Sequence, residues 1–497
     1  MADDDILLAI DQGTSSTRCI AFSAAGAVLA TERQAFEQIY PHPGWVEHDA
    51  EVIWATVLST ARQVLRNPAA AERRVAAVGI TNQRETTVLW DRRTGAPIHN
   101  AIVWQDRRTA DRCRELCETA SEDDLARKTG LRFDPYFSAT KIAWILDHVP
   151  GARAAAAAGH LAFGTIDCFL AWRLTGGRLH VTDATNASRT ALYDIVKGCW
   201  DEGLCELFGV PRSLLPEVCD SAGDFGATDA SAIGCAVRLC GIAGDQQAAL
   251  VGQACFGRGD GKVTFGTGAF LVQNTGHELV RSRNRLLGTI AYRIGGEVTY
   301  ALEGSILSAG STIQWLRDGL GLIARASDVE ALAATVPNSG GVYLVPAFTG
   351  LGAPYWDPDA RAAILGITRG STRSEIARAA LDSVAFQTHD LLAAMAADGQ
   401  APTTLKVDGG MSQNGLFMQR LADILGMRLA RPRNAESTAL GAACLAGLGC
   451  GLYRSLDDLG AMERCDTPFE PQLAAGERET QIAGWRDALH RITTGNR

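Results

Sequence analysis

Apolar runs that stop abruptly at polar, glycine-bearing turns set the rhythm of this chain. Ile6 to Ile10 is a continuous apolar stretch of strand length, and it breaks at Asp11-Gln12-Gly13-Thr14-Ser15-Ser16-Thr17-Arg18. The same design returns at Lys262-Val263-Thr264-Phe265, which runs into Gly266-Thr267-Gly268 and then into a second apolar segment, Ala269 to Gln273. Each copy reads as strand, turn, strand. Between and after them, Val75 to Ile80 and Thr86 to Trp90 predict strands flanking a polar insert, closed by the turn Asp91-Arg92-Arg93-Thr94-Gly95. Thr372-Arg373-Ser374-Glu375 reads as a capping box, and Ile376, Ala380, Val384 and Leu391 behind it form the stripe of a long helix. Ala154 to Ala158 reads as ordinary helix, alanine being the best helix former.

This alternation of strand and helix predicts an α/β protein, and the repeated hairpin predicts two related lobes facing each other across a cleft. No linker rich in Pro, Ser or charge separates them, so the repeat itself places the boundary: residues 1–250 and 251–497. A short crossing of this kind suits a hinge that closes over substrate.

With 497 residues and 46% apolar content the chain can build ample cores. Its formal charge of -9 with scattered basic residues excludes a nucleic-acid groove. There is no apolar run long enough to insert in a membrane, and Met1-Ala2-Asp3-Asp4-Asp5 has no secretory character, so the expected location is the cytoplasm. Thirteen cysteines, an odd number without any Cys-x-x-Cys, predict reduced thiols; Cys113 and Cys117 lie one helical turn apart but no nearby histidine completes a metal set.

The first turn combines a carboxylate, a glycine that lets backbone N–H groups approach an anion, hydroxyls and a guanidinium. That set suits nucleotide phosphates, with the Asp11 carboxylate toward Mg²⁺, an ion that prefers oxygen ligands and keeps several waters. A P-loop is excluded because Gly261-Lys262 is followed by Val263, and neither a dinucleotide fingerprint nor Gly-x-Ser-x-Gly occurs.

Asp245, in Gly244-Asp245-Gln246-Gln247 before a predicted helix, is a candidate proton acceptor; its competing reading is a helix cap. Arg84 and Glu85 are adjacent between two predicted strands, so both reach one ligand only if the backbone turns there; otherwise they form a solvated ion pair. Trp104, Tyr136 and Phe270 supply aromatic walls, and rings against a carbon skeleton with polar groups against hydroxyls describe a small polyol pocket. Gly310 and Gln314 are expected one turn apart on a helix from Glu303 to Leu320, and Gly410 and Asn414 one turn apart after a strand from Leu405 to Val407. Each pair offers bare backbone beside an amide, fit for a flat base, with helix packing as the competing explanation for Gly310.

Taken together these residues resemble the FGGY carbohydrate kinases. The resemblance is carried by Asp11 to Thr14, Phe36 to Pro41, Pro43 to Asp49, Gly79 to Thr87, Asp134 to Ser138, Thr185 to Thr190, Ala243 to Leu250, Val345 to Pro358 and Val407 to Gly410. It implies two duplicated ribonuclease H-like domains of the actin and hexokinase ATPase type around an interlobe cleft. It further implies ATP-dependent, in-line phosphorylation of glycerol to sn-glycerol 3-phosphate, the first step of glycerol breakdown.

By the same resemblance Asp245 is the general base and Asp11 holds Mg²⁺, while Thr14, Ser15, Ser16, Arg18 and Thr267 contact ATP phosphates. Gly310, Gln314, Gly410 and Asn414 contact the adenine nucleotide. Glycerol is held by Arg84, Glu85, Tyr136, Asp245 and Gln246, against Trp104 and Phe270. Relatives are dimers or tetramers, so a homodimer or homotetramer is expected by analogy. One departure concerns regulation: where several bacterial relatives carry a Gly-Gly-Lys-Gly-Gly loop for fructose 1,6-bisphosphate, this chain has Ala230 to Arg238, and no histidine lies between His180 and His277. Neither inhibition by that sugar nor activation through a phosphorylated histidine is expected. The rival readings are a family member acting on pentuloses or gluconate, whose larger substrate fits poorly against Trp104 and Phe270, and an ATP-driven switch, which has no use for a polyol pocket.

Overall fold

The computed structural model describes residues 5–462 and 466–493. Two mixed β-sheets organise it. The N-terminal sheet has five strands in the order Leu239–Gly244, Arg74–Asn82, Asp5–Gln12, Ser16–Ser23 and Val28–Ala35. The last three form an antiparallel meander and the others run parallel to Asp5–Gln12. The C-terminal sheet repeats this plan with Glu297–Ile306, Ala269–Gly276 and Asp260–Phe265 as the meander, then Thr404–Asp408 and Leu429–Arg431 in parallel. Leu287–Ile294 and Thr467–Phe469 extend its two edges. This is the duplicated ribonuclease H-like fold, and both glycine turns sit at the tip of the equivalent hairpin.

Asp5–Gln12 is buried at all eight positions, as an unbroken apolar run on a central strand requires. The capping box at Thr372 and Glu375 opens the helix Arg373–Ala397, and the alanine run forms the helix Ala152–Ala157. The described cysteines are free thiols. Among the described residues no helix is long and apolar enough to cross a membrane.

Two expectations are corrected. The predicted helix from Glu303 to Leu320 is two elements: residues 297–306 are a strand, and the helix is Gly310–Asp318. The β-ladder to Ala269–Gly276 and Leu287–Ile294 overrides the helical periodicity there. Gly410 and Asn414 do not share a helix face either: Gly410 opens a 3₁₀ turn, Gly410–Gln413, and Asn414 caps the helix Gly415–Leu425, its Oδ1 accepting from Phe417 N at 2.8 Å.

The chain also crosses back over the expected division. The helix Ser437–Gly449 packs on the N-terminal sheet, against Asp5–Gln12, Arg74–Asn82 and Leu239–Gly244, and against the helix Asp245–Gly252. The two helices meet backbone to backbone. A Cβ on Gly252 would collide with Ser437 O, and one on Gly441 with Ala248 O. A late segment thereby braces the helix that begins at Asp245.

Candidate active site

Parallel register gathers the polar residues. Gly244 pairs with Asn82, and Asn82 pairs with Gln12, so three adjacent strands end on one row. The residues just past or at those ends, Asp11, Arg84, Glu85 and Asp245, therefore emerge side by side at the carboxyl edge of the sheet, where ligands of open α/β sheets bind.

Glu85 has φ of 59°, the left-handed turn needed for two adjacent side chains to serve one place. Both are buried, with Arg84 3% and Glu85 1% exposed, so the solvated ion pair is excluded. Neither pairs with the other. Arg84 Nε lies 3.3 Å from Asp245 Oδ1, its Nη1 2.5 Å from Glu303 Oε2, and its Nη2 3.0 Å from Glu303 Oε1. Glu85 Oε1 accepts from Arg189 Nε at 2.7 Å.

Asp245 stands at the first turn of its helix with 29% of its side chain exposed. It does not cap the helix; Oδ1 accepts only from the neighbouring Gln246 N, at 2.7 Å, besides facing Arg84. Burial raises its pKa while Arg84 and Lys262 pull the other way. Trp104, Tyr136 and Phe270 come into ring contact. Trp104 stacks edge-on to Phe270 at 5.7 Å and to Tyr136 at 5.8 Å, with the Arg84 guanidinium 5.7 Å over the Phe270 ring. Arg84 Nη2 donates to Tyr136 Oη at 3.4 Å, and Lys262 Nζ donates to Gln246 Oε1.

At the first turn, Gly13 N donates to Ser16 O at 3.0 Å and Thr14 Oγ1 accepts from Trp104 Nε1 at 3.0 Å, linking the turn to the aromatic wall. Arg18, opposite Asp11 in the ladder, bridges Asp11 Oδ2 at 2.6 Å and Glu436 Oε2 at 2.7 Å. Ser15 is exposed, whereas Ser16 is buried with its hydroxyl on Arg33. At the second turn Thr267 is exposed, and the helix start is tied to it: Gly310 N donates to Gly266 O and Ser311 N to Thr267 O. A Cβ on Gly310 would lie 2.5 Å from Gly266 O, so this glycine is required by packing. Gly410 differs, since nothing lies within 4 Å of where its Cβ would be. Gln314 is exposed on the same helix as Gly310.

The N-terminal-domain signature of the FGGY family of carbohydrate kinases matches residues 6–252, and its C-terminal-domain signature matches residues 261–450. The chain belongs to this family. It is 57% identical to a glycerol kinase of Alcanivorax borkumensis over 492 residues, 99% of each chain. Among solved structures it resembles Plasmodium falciparum glycerol kinase with ADP, at a TM-score of 0.91 and 37% identity over 98% of each chain. A xylulose kinase from Lactobacillus acidophilus shares the fold at a TM-score of 0.87 with 19% identity, covering 99% of each chain.

In this FGGY kinase three buried groups were not singled out from the sequence: Glu303, Arg189 and Lys262. Glu303 was assigned to a helix, although a single carboxylate inside the run Tyr300-Ala301-Leu302-Glu303-Gly304-Ser305-Ile306 is itself a signal of a paired charge. Arg189 lies in the block Thr185 to Thr190, where nothing local in the sequence points to its partners. Lys262 directly precedes the second turn and is fully buried, and burial pushes its ammonium down to about 8.

Proposed function

We propose that this chain transfers the terminal phosphoryl group of ATP to a terminal hydroxyl of glycerol, giving sn-glycerol 3-phosphate and ADP. The observation that carries the reading is the Asp245 carboxylate, partly open to the cleft, 3.3 Å from Arg84 and beside the Trp104–Phe270 wall. A hydroxyl lodged there meets a donor in Arg84, acceptors in Glu85 and Asp245, and apolar faces for its carbon chain. Asp245 accepts the hydroxyl proton as the oxygen attacks phosphorus, and Arg84 holds that carboxylate in place and charged. Trp104 and Phe270 limit the pocket to a short carbon chain.

The phosphates fall to Thr14, Ser15, Arg18 and Thr267, and the adenine to the open backbone at Gly410 beside Gln314 and Asn414. Ser16 contributes its strand position more than its hydroxyl, which Arg33 already holds. Mg²⁺ takes one or two carboxylates together with phosphate oxygens and water, and Asp11 fits it: a hard oxygen donor on the first turn, with Arg18 on one carboxylate oxygen. Bound there with ATP, the ion would neutralise phosphate charge. Phosphoryl transfer asks chiefly for positioning and charge compensation, and oriented reactants remove about 7–11 kcal/mol of barrier. An enzyme drawing on cellular ATP in this way works in the cytoplasm, and a homodimer or homotetramer is the assembly we infer.

The test is a comparison of initial rates on glycerol, dihydroxyacetone and xylulose with ATP and Mg²⁺, alongside ATP hydrolysis without acceptor. Glycerol is expected to be the preferred acceptor. Preference for the five-carbon ketose, or ATP turnover indifferent to glycerol, overturns the proposal.

A further inference from the structure

Behind the polyol pocket runs a line of alternating charges: Glu85, Arg189, Glu303, Arg84, Asp245. Arg189 Nε donates to Glu85 Oε1 at 2.7 Å and its Nη2 to Glu303 Oε1 at 3.0 Å. Glu303 in turn takes both terminal nitrogens of Arg84. The guanidinium of Arg189 also lies 5.5 Å from the ring centres of both Tyr136 and Phe137. Arg189 and Glu303 are both wholly buried. Neither reaches the cleft, yet between them they hold three of the groups assigned to glycerol.

This cluster is a poor way to stabilise a fold. Desolvating ion pairs costs about as much as their attraction returns, and apolar residues of similar volume commonly do as well or better. What the arrangement does achieve is orientation. A planar guanidinium fixed by two carboxylates and two rings has one pose, and it imposes one pose on each carboxylate. The bridge also joins the lobes, since Glu303 lies on a strand of the C-terminal sheet, while Arg84 and Glu85 follow the strand Arg74–Asn82 of the N-terminal sheet and Arg189 follows the short helix Ala184–Ala187 in the N-terminal half. The same short segment ties down the other strand ends: Thr185 Oγ1 accepts from Gly244 N at 2.9 Å, next to Asp245, and Asn186 exchanges side-chain hydrogen bonds with Asn82 at 3.0 and 3.1 Å.

We propose that Arg189 is a positioning residue for the acceptor: through Glu85 directly, and through the interlobe carboxylate of Glu303 to Arg84, it sets the pose in which the polyol hydroxyls are bound. The inference rests on the glycerol reading above. It assigns to the block Thr185 to Thr190 a task in acceptor affinity, separate from nucleotide binding.

The experiment uses the full chain with Arg189→Lys, Arg189→Met and Glu303→Gln, measuring KM and kcat for glycerol and for ATP, nucleotide binding by calorimetry, and thermal unfolding. Arg189→Lys keeps the charge but offers one donor point where the guanidinium fork serves two carboxylates. The KM for glycerol is expected to rise at least tenfold, with KM for ATP and ADP binding little changed, and Arg189→Met is expected to be worse than Arg189→Lys. Glu303→Gln is expected to raise the glycerol KM also, and the double variant Arg189→Met with Glu303→Gln to lose less than the two single losses multiplied, because they break one bridge. If the unaltered enzyme phosphorylates glycerol and Arg189→Lys leaves its glycerol KM as it was, the positioning role is overturned while the function stands. If every variant loses nucleotide binding and cooperative unfolding together, the bridge is a fold element and the proposal is likewise overturned. If the unaltered enzyme prefers another acceptor, it is the functional reading that fails, and the KM shift is then sought with that acceptor.

Discussion

Arg84 Nε approaches Asp245 Oδ1 to 3.3 Å although the two residues stand at the ends of different strands. The pairing of Asn82 with Gly244 makes this possible, because the next residues of each strand turn into the same cleft edge. Burial raises the pKa of this carboxylate, and the arginine opposes that rise and aims the group. Replacing Asp245 by Asn preserves shape and removes the carboxylate proposed as proton acceptor. Glycerol phosphorylation is expected to fall by about 10²–10⁴-fold, the usual worth of a general base, with ATP binding retained. Steady-state rates together with calorimetric titration of ATP check this.

The two glycines assigned to the nucleotide separate cleanly. Gly310→Ala places a methyl group 2.5 Å from the Gly266 carbonyl in the second turn. It is expected to cost about 1–3 kcal/mol of stability and to raise the KM for ATP. Gly410→Ala meets no protein atom within 4 Å, so stability is expected to hold and nucleotide affinity alone to drop. Urea unfolding read beside KM for ATP distinguishes the two outcomes.

The seam between the helices Asp245–Gly252 and Ser437–Gly449 has no room for a side chain. Gly441→Ala is expected to destabilise by about 1–3 kcal/mol or more, since the opposing atom is backbone and cannot rotate away. Because Asp245 opens one of these helices, kcat is expected to fall as well. Unfolding midpoints and rates on the same preparation test both parts.

His48 is wholly buried, with Nδ1 3.3 Å from Gln83 Nε2, and burial lowers its pKa from 6.5 to about 4. The unfolded chain therefore binds a proton between pH 6.5 and 4 that the folded chain refuses. This group's contribution to stability is complete above pH 6.5 and is lost as the pH falls toward 4. Its size is on the order of 3 kcal/mol. Unfolding free energies measured across that window are expected to fall less steeply in His48→Asn than in the unaltered chain.

How far the sequence alone reached follows from which interactions are local. The apolar run Ile6 to Ile10 ending in Asp11-Gln12-Gly13-Thr14, and its echo before Gly266-Thr267-Gly268, determined two buried hairpins with polar tips, because strand burial and turn chemistry are written in neighbouring residues. The capping box at Thr372 and the need for a backbone turn at Glu85 were legible for the same reason. Tertiary structure alone decided that Glu303 lies on a strand, that it joins Arg84 and Arg189, and that the helix Ser437–Gly449 returns to the N-terminal sheet. Arg84 and Glu303 are 219 residues apart, and no periodicity or propensity spans such a distance. A charge can be recognised from its own residue, but its partner is chosen by which strands pair, and that choice belongs to the folded chain as a whole.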